Sequence, residues 1–204
     1  MLMEHSVASA SSGAPLCNPG AMDGLSLDSA RLRAAVLVEG TSDQRAIETL
    51  AARLGRDLAS EGVVVVPIGG ASNVRTALEH LGRLERAIAV TGLCDAGEEA
   101  DFRRGFLAGG PAIEPVGIHV CVEDLEDELV RALGVARVQR LIEDQGEARR
   151  FRTYRRQPAH RDEPLERQVH GFMWNRKVRY APLLVGSLDP GQVPAPLAGV
   201  LASV

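Results

Sequence analysis

The chain has 204 residues, enough for one well-formed core and a small appendage. Its 45% hydrophobic and 25% charged residues are typical of a globular protein, and no apolar run approaches the length of a membrane span. Cys17, Cys94 and Cys121 are too few and too widely spaced for a disulfide framework or a Cys-based zinc site, so they are expected to be small hydrophobic residues. The first thirty residues lack a signal peptide, which favours a cytoplasmic location without a membrane partner.

Charge is unevenly distributed along the chain. The formal net charge is −4, yet residues 149–180 contain ten basic and three acidic residues, whereas the remainder contains thirteen basic and twenty-four acidic ones. This asymmetry predicts an acidic catalytic part and a basic segment that can meet a polyanion. Lys177 is the only lysine among the 23 basic residues.

Composition and periodicity divide the chain into three parts. Residues 1–29, rich in Ser, Ala, Gly and Pro, are expected to be a mostly disordered leader. Residues 30–148 are expected to form the core, and residues 149–204 a basic, mostly helical extension packed on it. The core shows apolar strand patterns at 34–38, 62–70, 87–94 and 117–122, with helical patterns at 43–54, 73–84 and 98–107 between them and a loop at 108–115. This alternation predicts an α/β fold with a mostly parallel sheet flanked by helices.

Acidic residues follow three of these strands. Glu39 comes directly after the first strand, Asp95 after the third and Asp124 after the fourth. Because the carboxyl ends of parallel strands meet at one edge of the sheet, these side chains are expected to converge.

The acidic motifs carry a resemblance to a known family. Val38-Glu-Gly-Thr-Ser-Asp43 resembles the first motif of the TOPRIM domain, a Rossmann-like metal-dependent fold. Leu93-Cys-Asp-Ala-Gly-Glu98 is similar to the second, Asp-x-Asp, motif, with Gly97 in place of its second aspartate. Glu123-Asp-Leu-Glu126 resembles a later acidic motif of OLD-like nucleases, whose set is completed by a lysine near the carboxyl end. Over residues 33–200 the chain looks like a stand-alone OLD-like TOPRIM protein of the ATP-dependent endonuclease or nucleotidyl transferase/hydrolase type.

The resemblance implies a Mg²⁺- or Mn²⁺-dependent nuclease or nucleotidyl-transfer domain that cleaves phosphodiester bonds in DNA by a two-metal mechanism. Glu39 and Asp43 would hold one ion, and Asp95, Asp124 and Glu126 the other. Hard oxygen ligands of this kind suit either ion. Glu39, Asp95 and Lys177 would be catalytic, with Lys177 stabilising charge on the transition state. Glu98, in the adjacent position, is the candidate to replace the missing aspartate as a metal ligand.

A basic segment follows the core. Its arginines can contact successive phosphates, and Phe151 or Tyr154 can stack on an unpaired base; a solvated loop is the alternative. His160 and His170 are expected at the surface, because neither has a metal-ligand partner at suitable spacing. The arginines assigned to DNA binding are Arg149, Arg150, Arg152, Arg155 and Arg156.

Two other functions remain open from the sequence. Gly97 also fits a catalytically weak binding or regulatory module that acts with a separate ATPase, since the chain has no phosphate-binding loop of its own. An unrelated doubly wound protein with an acidic pocket, such as a receiver-like domain, is the third reading, and Lys177 beside the carboxylates would exclude it. A homodimer is compatible with the sequence.

Overall fold

A computed structural model describes residues 31–84 and 86–204. The expected leader, residues 1–29, and Cys17 lie outside the described residues. Within the described ranges, no helix is both long enough and apolar enough to span a bilayer.

The described chain contains one sheet of four parallel strands with the order β2-β1-β3-β4. The strands are β1 (Ala34–Val38), β2 (Val63–Pro67), β3 (Ile88–Asp95) and β4 (Ile113–Cys121). The mostly parallel sheet expected from the sequence is confirmed.

Helices flank the sheet and form the carboxyl-terminal part. Those between the strands are α1 (Thr41–Arg53), α2 (Val74–Gly82) and α3 (Glu99–Leu107). After β4 come α4 (Leu125–Leu133), α5 (Val135–Asp144), α6 (Ala148–Arg155), α7 (Leu165–Met173), α8 (Lys177–Gly186) and α9 (Ala195–Ala202). A 3₁₀ turn, Trp174–Arg176, joins α7 to α8.

Strand β1 is the centre of the fold, and all five of its residues are buried. Because successive side chains of a strand point to opposite faces, Val36 packs into a core with α1 and the carboxyl-terminal helices, whereas Leu37 packs against α2 and α3. The carboxyl-terminal helices therefore complete one of the two cores. Cys94 and Cys121 are buried, which confirms their expected role as small hydrophobic residues.

One strand boundary differs from the sequence prediction, and one alternative left open by the sequence is decided. Strand β4 begins at Ile113 and includes Pro115, where a loop was expected. Proline is tolerated because β4 lies at the edge of the sheet, where an N–H group can be missing without breaking an internal ladder. The basic segment forms helix α6, in line with the predicted helical extension and not with the alternative of a solvated loop, and it is anchored by the buried ring of Phe151.

The sheet order creates a crevice at its carboxyl edge. The chain moves from β1 outward to β2 on one side and then returns to place β3 on the other side of β1. In open α/β sheets, such a reversal leaves a ligand-binding crevice beyond the carboxyl ends of the two central strands. Glu39 and Asp95 stand at those two ends, so the topology places both at the crevice.

Candidate active site

Two glycines hold the backbone beside Glu39. The Gly69 amide donates a 2.8 Å hydrogen bond to the Glu39 carbonyl, and the Gly70 amide lies 3.3 Å from the same oxygen. Both glycines have positive φ angles of 73° and 113°, which residues with a side chain rarely adopt. The side-chain amide of Asn73 donates to the Ile68 and Gly69 carbonyls and holds this turn.

Asp43 is turned back toward the end of strand β1. The residue that precedes α1 is Gly40, and the Asp43 Oδ2 atom accepts a 2.9 Å hydrogen bond from the Gly40 amide. The first turn of α1 therefore brings Asp43 to the same cavity as Glu39.

A small cavity of about 190 Å³ gathers most of the predicted site residues. Four acidic side chains line it, together with the single lysine and the turn glycines. The lining residues are Glu39, Gly40, Ser42, Asp43, Gly70, Asp95, Glu126 and Lys177. We call this cavity the carboxylate pocket. Asp124 is absent from its lining.

Lys177 binds two of the predicted metal ligands. Its Nζ atom lies 2.9 Å from Asp124 Oδ2 and 2.8 Å from Glu126 Oε2. Burial opposes the charged ammonium, but the charges and hydrogen bonds of these two carboxylates outweigh it and raise the pKa of Lys177. Lys177 is therefore a fixed positive charge beside the carboxylates, which counts against the receiver-like reading.

His170 is the second partner of Asp124, and its expected place at the surface was wrong. Its Nε2 atom lies 2.9 Å from both carboxylate oxygens, and only 15% of its side chain is exposed. Burial alone would raise the pKa of Asp124, but hydrogen bonds from His170, Lys177 and the Asp127 amide lower it. The hydrogen bond to Asp124 raises the pKa of His170. Asp124 thus orients Lys177 instead of facing the pocket.

Three of the pocket carboxylates, Asp43, Asp95 and Glu126, have pKa values shifted in the opposite direction to that of Asp124. Burial, reinforced by the charge of Glu126, raises the pKa of Asp43 to about 6. Burial and the charges of Asp124 and Asp43 raise the pKa of Asp95 to about 7. Burial also raises the pKa of Glu126, although Lys177 opposes this effect. One lysine does not neutralise the cluster, so a further cation would be favoured there.

The donor set fits a hard divalent cation. The Glu126 Oε1 atom is buried and accepts no hydrogen bond within the described ranges, so one oxygen remains available as a ligand. As the side chains stand, no three His, Cys, Asp or Glu residues among those described are close enough to share an ion. A bound cation would offset the mutual repulsion of these carboxylates.

The predicted basic residues do not lie in the carboxylate pocket. Arg149 and Arg150 line cavities on the neighbouring surface, and the Arg155 Nε atom donates a 2.6 Å hydrogen bond to Gln168. Arg152 is exposed on α6, and Arg156 is exposed directly after its end. DNA contact by this set stays a prediction.

The two aromatic residues assigned to base stacking contact other rings of the protein. Phe151 is only 5% exposed and packs on Phe172, with 5.1 Å between ring centroids. Tyr154 stacks on His160 at 4.0 Å and also contacts Phe172. The prediction that a ring stacks on a base was therefore wrong for Phe151, which the helix turns inward. Tyr154 is only partly buried and lines a surface cavity with Arg149 and Arg150, so its stacking on a base stays a prediction.

Sequence reasoning missed His170 and Trp174. Together with Lys177 they are spaced four and three residues apart, which is the spacing of one helical face. That pattern could have placed all three beside one another. Glu98, by contrast, does not line the carboxylate pocket, and its Oε2 atom is buried without a hydrogen-bond partner in the described residues.

Comparison with known proteins now adds to this geometry. The family described as "Overcoming lysogenization defect protein-like, TOPRIM domain" matches residues 32–96. The fold is similar to the C-terminal region of the Xanthomonas campestris pv. campestris OLD protein, with a TM-score of 0.58 and 21% identity over 84% of this chain and 94% of that one. It is also similar to the C-terminal region of the Burkholderia pseudomallei OLD protein, with a TM-score of 0.57 and 18% identity over 84% of this chain and 96% of that one. No curated protein matches the chain.

These findings agree with the resemblance carried by the acidic motifs. The matched residues contain β1 and the acidic residues of the first two motifs, which are Glu39, Asp43 and Asp95. The similar structures extend the same fold through the carboxyl-terminal helices. Residues 32–96 therefore match the OLD-like TOPRIM family, and the fold is similar to the C-terminal region of OLD proteins.

Proposed function

We propose that the chain is a Mg²⁺- or Mn²⁺-dependent nuclease or nucleotidyl-transfer domain that cleaves phosphodiester bonds in DNA. One observation carries the proposal: Glu39, Asp43, Asp95 and Glu126 line a single pocket with Lys177 at a topological switch point. TOPRIM domains generally bind divalent metal ions, and the family generally acts in nucleic acid cleavage, which supports the assignment.

Four carboxylates are proposed to hold one or two ions. They are the pocket-lining residues Glu39, Asp43, Asp95 and Glu126. When bound, the metal supplies activation of a water molecule and neutralisation of charge on the phosphate. Asp124 is the weakest of the predicted ligands, because His170 and Lys177 already engage both of its oxygens.

The other roles proposed for the site are proton exchange, positive charge and the positioning of Lys177. The pKa values of Asp43 and Asp95, about 6 and about 7, mean that both groups exchange protons near neutral pH before a cation binds. Lys177 is held toward the pocket by Asp124 and Glu126 and contributes positive charge where a phosphate oxygen becomes more negative. His170 positions this arrangement from behind through Asp124.

Nicking of supercoiled plasmid tests the proposal directly. Purified protein is incubated with Mn²⁺, Mg²⁺ or EDTA beside Glu39→Ala, Asp95→Ala and the control Asp101→Ala, a partly exposed carboxylate paired with Arg104 on α3. We expect metal-dependent cutting by the wild type and the control, and loss in both pocket variants. Cutting that survives in Glu39→Ala and Asp95→Ala would mean that another site or a contaminant is responsible.

A second function is favoured by one specific observation. Gly97 removes a carboxylate from the second motif, and no three acidic or histidine side chains of the described residues are spaced to share an ion as they stand. This fits a catalytically weak module that acts with a separate ATPase. Isothermal titration calorimetry separates the two proposals, since absence of Mn²⁺ and Mg²⁺ binding at millimolar concentrations would reject the nuclease and favour the module.

A further inference from the structure

An exposed tryptophan stands beside the carboxylate pocket. Trp174 lies in the turn between α7 and α8, and 59% of its surface is exposed. Its ring centroid is 4.4 Å from Lys177 Nζ, the same ammonium that binds Asp124 and Glu126. The Lys177 side chain therefore lies between the indole and these two carboxylates.

The tryptophan lines a strongly basic cavity. This cavity, of about 710 Å³, is bordered by five basic side chains and one acidic side chain, a formal net charge of +4. The basic residues are Arg45, Arg150, Arg176, Lys177 and Arg179. Arg45 comes from α1, the helix that also carries Asp43, so the positive charge reaches across from the sheet to the carboxyl-terminal helices.

Glu147 organises the arginines of this cavity. Its side chain is only 5% exposed and accepts a 2.6 Å hydrogen bond from the Tyr180 hydroxyl. Arg150, Arg176 and Arg179 lie 3.2, 3.6 and 3.6 Å from its oxygens. One carboxylate cannot neutralise three guanidinium groups, so they are held in place with positive charge to spare for a polyanion.

Three cavities follow one another across this surface. Lys177 lines both the carboxylate pocket and the basic cavity. Arg150 and Arg176 line both the basic cavity and a further one of about 440 Å³, which also includes Arg149. We call the two basic cavities together the arginine groove. It leads away from the carboxylates past Trp174.

We infer that the arginine groove binds an unpaired segment of DNA strand, with one base stacked on Trp174 next to the phosphate that enters the carboxylate pocket. Flat aromatic rings beside a line of positive charge are how proteins hold single-stranded nucleic acid, because an unpaired base has a free face. The bases of a duplex are stacked on one another and cannot reach the indole. This inference rests on the proposed function and names its substrate as a strand with an unpaired region.

Intrinsic fluorescence tests the inference without any catalysis, because Trp174 is the only tryptophan in the 204 residues. The protein is titrated in EDTA with the oligonucleotide dT20 and, separately, with a 20-base-pair duplex. We expect saturable quenching by dT20 and little quenching by the duplex. Quenching of equal size and affinity by both ligands, or none by dT20, would overturn the inference.

Variants separate stacking from charge. By anisotropy of labelled dT20, Trp174→Ala is expected to bind about tenfold or more weakly, whereas Trp174→Phe keeps most of the affinity because a ring remains. Arg45→Gln should weaken binding and flatten its salt dependence. The control, Leu107→Ala, changes an 88% exposed apolar residue outside the groove and should leave binding unaltered. Unchanged binding in Trp174→Ala would refute the inference.

Failure of this inference can be told apart from failure of the proposed function. Metal-dependent nicking that is lost in Glu39→Ala, without quenching by dT20, would retain the nuclease and reject the stacked strand. Saturable quenching in EDTA without nicking in any metal would retain the groove as a single-strand site and reject the nuclease.

Discussion

Replacing Asp95 with asparagine should stabilise the metal-free protein at alkaline pH. Burial and neighbouring negative charges raise the pKa of Asp95 from 3.8 to about 7. Each pH unit between the unfolded and folded pKa corresponds to roughly 1.4 kcal/mol, which gives an upper bound of about 4 kcal/mol. Asp95 is only partly buried, and solvent screening reduces this to about 2 kcal/mol.

The sign follows from where the proton is bound. Between about pH 4 and pH 7 the unfolded chain has lost this proton while the folded protein retains it, so stability falls as pH rises through that interval. The loss is complete above about pH 7, where the charged group is buried. An asparagine side chain carries no charge at any pH, so Asp95→Asn should match the wild type near pH 4 and exceed it at pH 8.

Thermal melts in EDTA at pH 4, 5, 6, 7 and 8 measure the effect. About 2 kcal/mol in a chain of this size raises Tm by about 4 to 8 °C at pH 8. Asp162→Asn, whose side chain is 85% exposed, serves as the matched control and should shift Tm by about 1 °C or less. A difference between Asp95→Asn and the wild type that does not grow with pH would refute the argument. Adding Mn²⁺ at pH 8 should raise the wild-type Tm more than that of Asp95→Asn.

Three further substitutions probe the same site. Lys177→Met leaves Asp124 and Glu126 without their cation and should lower the free energy of unfolding in urea by about 3 kcal/mol in EDTA, with partial recovery in Mn²⁺; no change would contradict the twin ion pair. His170→Gln should lower the free energy of unfolding at pH values below the pKa of histidine in the unfolded chain. The loss should shrink as pH rises through the raised pKa of His170 in the folded protein, as urea melts at several pH values will show. Gly97→Asp meets no atom within 4 Å at its Cβ and should tighten Mn²⁺ binding in calorimetry, whereas Gly97→Ala should not.

The strand framework and the pocket-lining carboxylates could be predicted because their signals are local. Uninterrupted apolar runs such as 34–38 form buried parallel strands, and a residue that follows such a strand must lie at the carboxyl edge. Glu39 and Asp95 were placed by this rule alone. Pro115 was not, because the tolerance of an edge strand for proline depends on sheet order, which the sequence does not display.

The partners of each side chain were harder to predict, because they come from distant parts of the chain. Asp124 was expected to face a metal, yet Lys177 and His170 reach it from residues about fifty positions later. Phe151 was expected to stack on a base, but its place on the inner face of α6 depends on where α7 packs. Such long-range contacts are set by tertiary packing and not by the local spacing of residue types.

Three helix starts give the site a second source of positive potential, and Arg53 fixes two of these helices to each other. It donates 2.6 Å hydrogen bonds to the carbonyls of Val185 and Leu188 and so ties the end of α1 to the end of α8. Both helices begin beside the carboxylates, and α4 also begins there, directly after Asp124. Each helix start carries about half an elementary positive charge from its aligned peptide dipoles. The three together offset part of the carboxylate charge, so this surface can admit a phosphate that the acidic side chains alone would repel.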